Sequence, residues 1–130
     1  KIIKKLMNAK LKGKNDAILI LKEVSDPRRF GVAVIDQMKN KTTVKNVEEK
    51  PKNPKSNLAI VALYRFRPSI FQAIKETSHG KKEIQLTDGI QKLIEWGGRI
   101  NAIVMNKNDA VVDIGTAESY LENISKFKGL

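Results

Sequence analysis

The chain has 130 residues, enough for one domain with its own core, and 25 basic against 14 acidic residues give it a formal net charge of +11. It has no cysteine, which excludes disulfides, thiolate metal ligands and a cysteine nucleophile. No run approaches the roughly 18 apolar residues that cross a bilayer, and no apolar stretch leads into a cleavage site of small residues. We therefore expect a cytoplasmic protein of one domain that has no contact with a membrane.

The excess positive charge is concentrated at the beginning of the chain. Six lysines and no acidic residue lie in the first 14 residues, KIIKKLMNAKLKGK. Clustered lysines are typical of proteins that bind nucleic-acid phosphates, so a basic nucleic-acid-binding module is one hypothesis. Elsewhere acids and bases are interspersed, and the few aromatic residues do not interleave with basic ones as they do on a base-stacking surface. The pattern therefore does not favour a nucleic-acid partner.

The first half of the chain predicts one helix followed by four strands. The helix is indicated by apolar residues at helical spacing, Ile3, Leu6, Met7 and Leu11. The apolar run at 17–24 is typical of a strand buried on both faces. GVAVID (31–36) and TTVKNVEE (42–49) are predicted as the next two strands. LAIVALYRF (58–66) is apolar nearly throughout, as a central strand covered on both faces would be.

The second half alternates helices and strands. Pro68 favours a helix start, and SIFQAIKET (69–77) has an apolar face. A second helix, ended by Gly97 and Gly98, is marked by Leu86, Ile90, Leu93 and Ile94. Strands are predicted at 99–106 and 110–115, and Thr116 is predicted to cap a last helix through Phe127. The pattern as a whole predicts a mixed α/β domain.

Five motifs follow one another in the order typical of one enzyme family. They are LKEVSDPRRFGVAVID (21–36), VEEKP (47–51), SNLAIVALYRF (56–66), KKEIQLTDGIQKL (81–93) and VVDIGTAESYLENI (111–124). On these motifs residues 17–125 resemble the carboxy-terminal half of the sugar-1-phosphate nucleotidyltransferases. The likeness is greatest to the UTP–glucose-1-phosphate uridylyltransferases and next to the glucose-1-phosphate thymidylyltransferases. The resemblance implies part of a mixed, mostly parallel Rossmann-like sheet flanked by helices.

The resemblance also implies a sugar-phosphate site at the VEEKP corner. Glu49 would accept hydrogen bonds from glucose hydroxyls, and Lys50 would bind the sugar phosphate as a catalytic cation. Gly31 matches a glycine whose backbone approaches the sugar, and Glu83 matches a glutamate near it. Asp113 matches the catalytic aspartate that holds Mg²⁺ between the nucleotide and sugar phosphates.

Without the resemblance, the same residues have ordinary structural explanations. EEKP alone is typical of a solvated strand end, and a glycine at position 31 would give the backbone freedom where a strand begins. A lone aspartate such as Asp113 is usually a turn residue. His79 lies in a polar loop without a partner motif, and we predict no role for it at the site.

The implied reaction is in-line attack of glucose-1-phosphate on the α-phosphorus of UTP or dTTP, with Mg²⁺ bridging the phosphates and pyrophosphate leaving. The family's loop G-x-G-T-R-L, the following P-K pair and its first Mg²⁺-binding aspartate have no counterpart in this sequence. We therefore expect residues 1–130 to be the sugar-phosphate-binding half of a catalytic domain, inactive alone, with the nucleoside triphosphate bound through an amino-terminal half. A non-catalytic sugar-phosphate-binding or regulatory domain is the alternative.

The missing half has a consequence for assembly. The family's first strands and their helices would be absent, which leaves apolar surface and at least one strand edge uncovered. Such surfaces are usually covered by association. We therefore predict a homo-oligomer.

Overall fold

The structure, a computed structural model, describes residues 2–9 and 15–106. Its elements in chain order are α1 (Ile2–Asn8), β1 (Asn15–Glu23), a 3-10 turn (Pro27–Arg29), β2 (Gly31–Met38), β3 (Lys41–Glu49), β4 (Leu58–Phe66), α2 (Ser69–Thr77), α3 (Leu86–Glu95) and β5 (Arg99–Val104). These elements confirm the mixed α/β class, and β4 and α2 have the predicted bounds. The predicted strand at 110–115, the last helix and Asp113 lie outside the described residues.

The five strands form one sheet in the order β1-β4-β2-β3-β5, and β5 pairs back with β1 to close it. Only the β1–β5 pair is parallel, whereas the resemblance implied a mostly parallel sheet. The antiparallel direction of the β2–β3 pair follows from the short connection at 39–40, since only antiparallel strands can be joined by so tight a turn. The described part is therefore a mixed sheet in which antiparallel pairs dominate.

Closure of the sheet also bears on the predicted free strand edge. Single residue pairs, Val32 with Ala59 and Thr43 with Asn101, join β2 to β4 and β3 to β5. Every described strand thus has a neighbour on both sides, but β2–β4 and β3–β5 are joined at one residue pair each, so the expectation of an uncovered strand edge stays a prediction. The homo-oligomer remains a prediction, and the exposed apolar side chains that it could cover include Met7, Met38 and Phe71, which are 71%, 71% and 73% exposed.

The core lies on both faces of β1, as its apolar run predicted. Leu19 and Leu21 are fully buried in the main cluster, which includes residues of α2, α3, β2 and β3. Ile18 and Ile20 are buried on the opposite face, where α1 covers them with Ile2 and Leu6. Each such side chain contributes about 1.5–3 kcal/mol when it leaves water. The two clusters therefore fix β1 at the centre of the fold.

Helices α2 and α3 pack closely because Gly89 has no side chain. A Cβ at this position would lie 2.8 Å from Cγ1 of Ile74. The buried face of α3, with Ile90 and Leu93, joins the main cluster. This packing brings the beginning of α3 to the end of β3. None of the described helices is long and apolar enough to cross a membrane.

Candidate functional site

An open cavity of about 270 Å³ lies where the ends of several elements meet. The start of β2, the end of β3, the middle of β4 and the beginning of α3 all contribute to its wall. Its polar side chains are Arg29, Glu49, Tyr64, Gln85 and Thr87. The rest of the lining is Phe30, Gly31, Ile60 and Leu86. The cavity therefore offers a carboxylate, two hydroxyls, an amide and a guanidinium to a ligand.

Glu49 and Thr87 form the central contact of this cavity. The Thr87 hydroxyl donates a hydrogen bond to Oε2 of Glu49 at 2.5 Å. Thr87 lies in the first turn of α3 and is buried, with 8% of its surface exposed. Within residues 2–9 and 15–106 no hydrogen bond reaches the second carboxylate oxygen, Oε1. One oxygen of Glu49 is thus held by the protein, and the other can accept from a ligand.

Gly31 lies directly across the β2–β3 pair from Glu49. A Cβ at this glycine would lie 3.1 Å from Oγ1 of Thr87 and 3.3 Å from Oε2 of Glu49. Both distances are shorter than ordinary van der Waals contact, so a side chain here would push against the hydrogen-bonded pair. The glycine therefore leaves room for the Glu49–Thr87 contact and exposes its backbone to the cavity.

Tyr64 places a neutral phenol beside the carboxylate. Burial raises the pKa of its hydroxyl above the usual value, and the charge of Glu49 raises this pKa further. The ring stacks on Phe66, with 5.4 Å between the ring centroids, which limits how the ring can turn. A phenol that keeps its proton is a hydrogen-bond donor for a ligand oxygen.

Lys50 lies next to the cavity but does not line it. It is exposed and has a φ of 42°, a left-handed conformation that is unusual for lysine. Its N–H donates to the carbonyl oxygen of Phe30 at 3.0 Å, and the buried Pro51 follows. These contacts hold the corner at which the chain leaves β3.

The structure brings together only some of the residues singled out from the sequence. Gly31 and Glu49 meet at the cavity, with Lys50 beside them. Glu83 is exposed in the loop before α3 and does not line the cavity, and His79 is exposed in the same loop. The role of Asp113 stays a prediction because this residue is not described.

Four polar lining residues were not identified from the sequence: Arg29, Tyr64, Gln85 and Thr87. All lie inside motifs that carry the family resemblance, but only Tyr64 has a signal of its own, as a polar group within a nearly continuous apolar strand. Thr87 looks like an ordinary helix residue in sequence. Its contact with Glu49 joins positions 38 residues apart, which spacing along the chain does not indicate.

The predicted Mg²⁺ site is not formed by the described residues alone. Among them no group of three or more His, Asp or Glu side chains lies close enough together to hold a metal ion. Among the residues that the structure describes, Glu49 is the only carboxylate that lines the cavity, and Thr87 already binds one of its oxygens.

A cavity with convergent polar groups at the ends of strands is typical of α/β proteins that bind small polar ligands. The model of the family described as Nucleotidyl transferase matches residues 1–128, and the chain belongs to this family. The family that the five motifs implied is thereby confirmed, and the mixed α/β fold agrees with it, although antiparallel pairs dominate the described sheet.

Individual relatives agree with this assignment. The chain is 39% identical over 92 residues to a glucose-1-phosphate thymidylyltransferase from Streptomyces griseus, covering 70% of this chain and 25% of the relative. It is 33% identical over 112 residues to a UTP–glucose-1-phosphate uridylyltransferase from Pseudomonas aeruginosa. This match covers 82% of this chain and 39% of the relative. A solved UDP-glucose pyrophosphorylase complexed with UDP-glucose superposes with a TM-score of 0.76 at 29% identity, covering 88% of this chain and 45% of that one. The chain thus spans less than half the length of each of these proteins.

Proposed function

We propose that this chain is the sugar-phosphate-binding part of an enzyme that joins glucose-1-phosphate to UTP or dTTP and releases pyrophosphate. The observation that carries this proposal is the cavity in which Thr87 holds the Glu49 carboxylate at the end of β3 and Gly31 leaves room for that contact. Relatives named for glucose-1-phosphate as their substrate support it.

The sugar would bind through its hydroxyls. Oε1 of Glu49 is a charged acceptor, the Tyr64 phenol is a donor, and the Gln85 amide offers both functions. A hydrogen bond to a charged group contributes about 1.5–3 kcal/mol, so Glu49 would dominate sugar binding. The volume of about 270 Å³ lies just below the range of roughly 300–1,000 Å³ for drug-sized ligands, which suits a single hexose.

The phosphate of the sugar would bind at the basic side of the cavity. Arg29 lines the cavity, and its neighbour Arg28 is already paired with Asp26, with 2.9 Å between Nε and Oδ1. Lys50 lies beside Glu49 and would supply a second cation, as the resemblance implied. Two cations near one phosphate would neutralise its charge as it approaches a nucleotide.

The remaining parts of the reaction are proposed from the family alone. Asp113 would hold Mg²⁺, which neutralises phosphate charge, and Glu83 would approach the sugar. The nucleoside triphosphate would bind through residues outside this sequence. We accordingly propose that residues 1–130 bind glucose-1-phosphate but do not turn over UTP or dTTP.

Calorimetric titration with glucose-1-phosphate tests the proposal, using the parent chain, Glu49→Gln and Glu48→Gln. Glu49→Gln removes the charge at constant shape and should raise the Kd at least about tenfold. Glu48 is the matched control, because its carboxylate points to Lys55, with 3.4 Å between Oε1 and Nζ, and it does not line the cavity. This variant should bind within about twofold of the parent.

Three results would contradict the proposal. The first is a parent chain that does not bind millimolar glucose-1-phosphate, and the second is an equal Kd for both variants. The third is turnover of UTP or dTTP by the purified chain, which would contradict the proposal that residues 1–130 are inactive alone. Binding that depends steeply on salt and is competed by DNA or RNA would instead favour the basic nucleic-acid-binding module.

A further inference from the structure

Helix α3 is tied to strand β3 by a second hydrogen bond besides the Thr87–Glu49 contact. The N–H of Val47 donates to Oε1 of Gln91 at 2.9 Å. Val47 lies beyond the single residue pair, Thr43 with Asn101, that joins β3 to β5. The Gln91 side chain therefore satisfies a backbone donor at a place where the neighbouring strand no longer reaches.

The two contacts are spaced alike on the helix and on the strand. Thr87 and Gln91 are four residues apart on α3, a rise of about 6 Å, and lie on the same face of the helix. Val47 and Glu49 are two residues apart on β3, a rise of about 6.8 Å. The hydrogen bonds thus connect the helix to the strand at two matched points.

Apolar packing does not by itself fix this register. Ile90 and Leu93 bury α3 in the core, but burial is non-directional and tolerates small shifts along the helix axis. The strength of a hydrogen bond depends steeply on distance and angle, so the two hydrogen bonds define the register of α3 along β3. Gln91 does not line the cavity, and its contact is to backbone rather than to a ligand.

We propose that Gln91 is a positioning residue for the sugar site, an inference that rests on the proposed function. By holding α3 in register with β3, its amide places the Thr87 hydroxyl on Oε2 of Glu49 and leaves Oε1 aimed at the ligand. Loss of the Gln91 contact lets the beginning of α3 move, so the carboxylate loses its fixed orientation although no cavity residue has changed.

The test compares Gln91→Met, which keeps the length of the side chain but has no amide oxygen, with Thr87→Val and the double variant. Gln72→Met is the matched control, because Gln72 is exposed on α2 and does not line the cavity. Two quantities are measured at a temperature where every variant is folded. They are the Kd for glucose-1-phosphate and the ¹³Cδ chemical shift of Glu49 in the free chain.

We expect Gln91→Met and Thr87→Val each to raise the Kd about tenfold and to move the Glu49 shift in the same direction. The double variant should have the same Kd as Thr87→Val, because both changes act through one contact. Independent effects would instead multiply and raise the Kd about a hundredfold. Gln91→Glu keeps an acceptor for the Val47 N–H and should restore much of the binding. A merely structural role would lower stability and leave Kd and the Glu49 shift unchanged.

The outcomes separate this inference from the proposed function. If the parent does not bind glucose-1-phosphate, the proposed function fails, and the Glu49 shift still tests the role of Gln91. If the parent binds and Gln91→Met matches it in Kd and in shift, the inference is overturned. Should Gln91→Met not fold, Gln91→Asn tests the same contact with an amide that is one methylene shorter.

Discussion

Gly31 and Thr87 approach each other so closely at the cavity that a Cβ on the glycine would lie 3.1 Å from the threonine hydroxyl oxygen. That hydroxyl is the group that donates to Glu49. The absence of a side chain at the start of β2 is therefore a condition for the arrangement of the carboxylate at the end of β3.

Gly31→Ala should weaken glucose-1-phosphate binding about five- to tenfold, because the methyl group displaces the Thr87 hydroxyl. Overpacking of this kind typically lowers the free energy of unfolding by about 1–3 kcal/mol. Gly80→Ala is the control: it has a φ of 74° and nothing within 4 Å of an added Cβ. Its free energy of unfolding should fall by about 1 kcal/mol, and its Kd should equal that of the parent. Calorimetry and urea unfolding measure the two quantities, and equal binding by both variants would refute the role of Gly31.

Lys50→Gly should separate the backbone role of this residue from its charge. A φ of 42° favours glycine over lysine, so stability should stay constant or rise by up to about 1 kcal/mol. The Kd for glucose-1-phosphate should rise about tenfold, while weak binding of glucose itself should not change. Lys39→Gly removes the same charge at a φ of 51° in the β2–β3 turn, away from the cavity. Identical affinities of the two variants would show that Lys50 does not bind the phosphate.

Ionisation of Tyr64 should lower the free energy of unfolding at high pH. Its folded-state pKa is raised above the usual 10.0 by burial and then by the Glu49 charge. From about pH 10 upward the unfolded chain releases the phenolic proton before the folded chain does. The stabilising contribution is thus complete below pH 10 and is lost as pH rises through the folded pKa. Tyr64→Phe should flatten this part of the curve of unfolding free energy against pH.

The same pKa can be measured directly from the ¹³Cζ signal of Tyr64. Glu49→Gln should lower this pKa, because it removes the negative charge that opposes ionisation, and Glu48→Gln should leave it as in the parent. A Tyr64 signal that titrates identically in all three chains would contradict the proximity of the phenol and the Glu49 carboxylate.

Gly98→Ala should be strongly destabilising. An added Cβ would lie 2.6 Å from the carbonyl oxygen of Leu93 and 2.7 Å from Oδ2 of Asp16. The Leu93 carbonyl also accepts the Gly98 N–H at 2.8 Å, so it cannot move away without breaking the end of α3. We expect the free energy of unfolding, measured with urea, to fall by about 3 kcal/mol. Gly97→Ala, with a φ of 80° and open space around it, should lose only about 1 kcal/mol. A smaller loss at position 98 than at 97 would contradict this packing.

Apolar runs and helical spacing in the sequence were sufficient to predict the helices and strands of the described residues and the burial of β1 on two faces. Hydrophobic spacing is a local property, and in this chain local preference and tertiary packing agree. The directions and closure of the sheet were not predictable in this way. They depend on which strands pair, and the pairing of β1 with β4 and β5 joins segments far apart in the chain.

The sequence by itself determined the family and the helices and strands of the described part, and through the family resemblance it singled out Gly31 and Glu49 as candidate site residues. Only the tertiary structure decided that Thr87, Tyr64 and Arg29 share a cavity with them, and that Lys50 lies beside it. The physical reason is that the site is assembled from the ends of elements separated by up to 58 positions, from Arg29 to Thr87. Side chains at such separations meet through the pairing of β2 with β3 and β4 and the packing of α3 on β3, which no local pattern encodes.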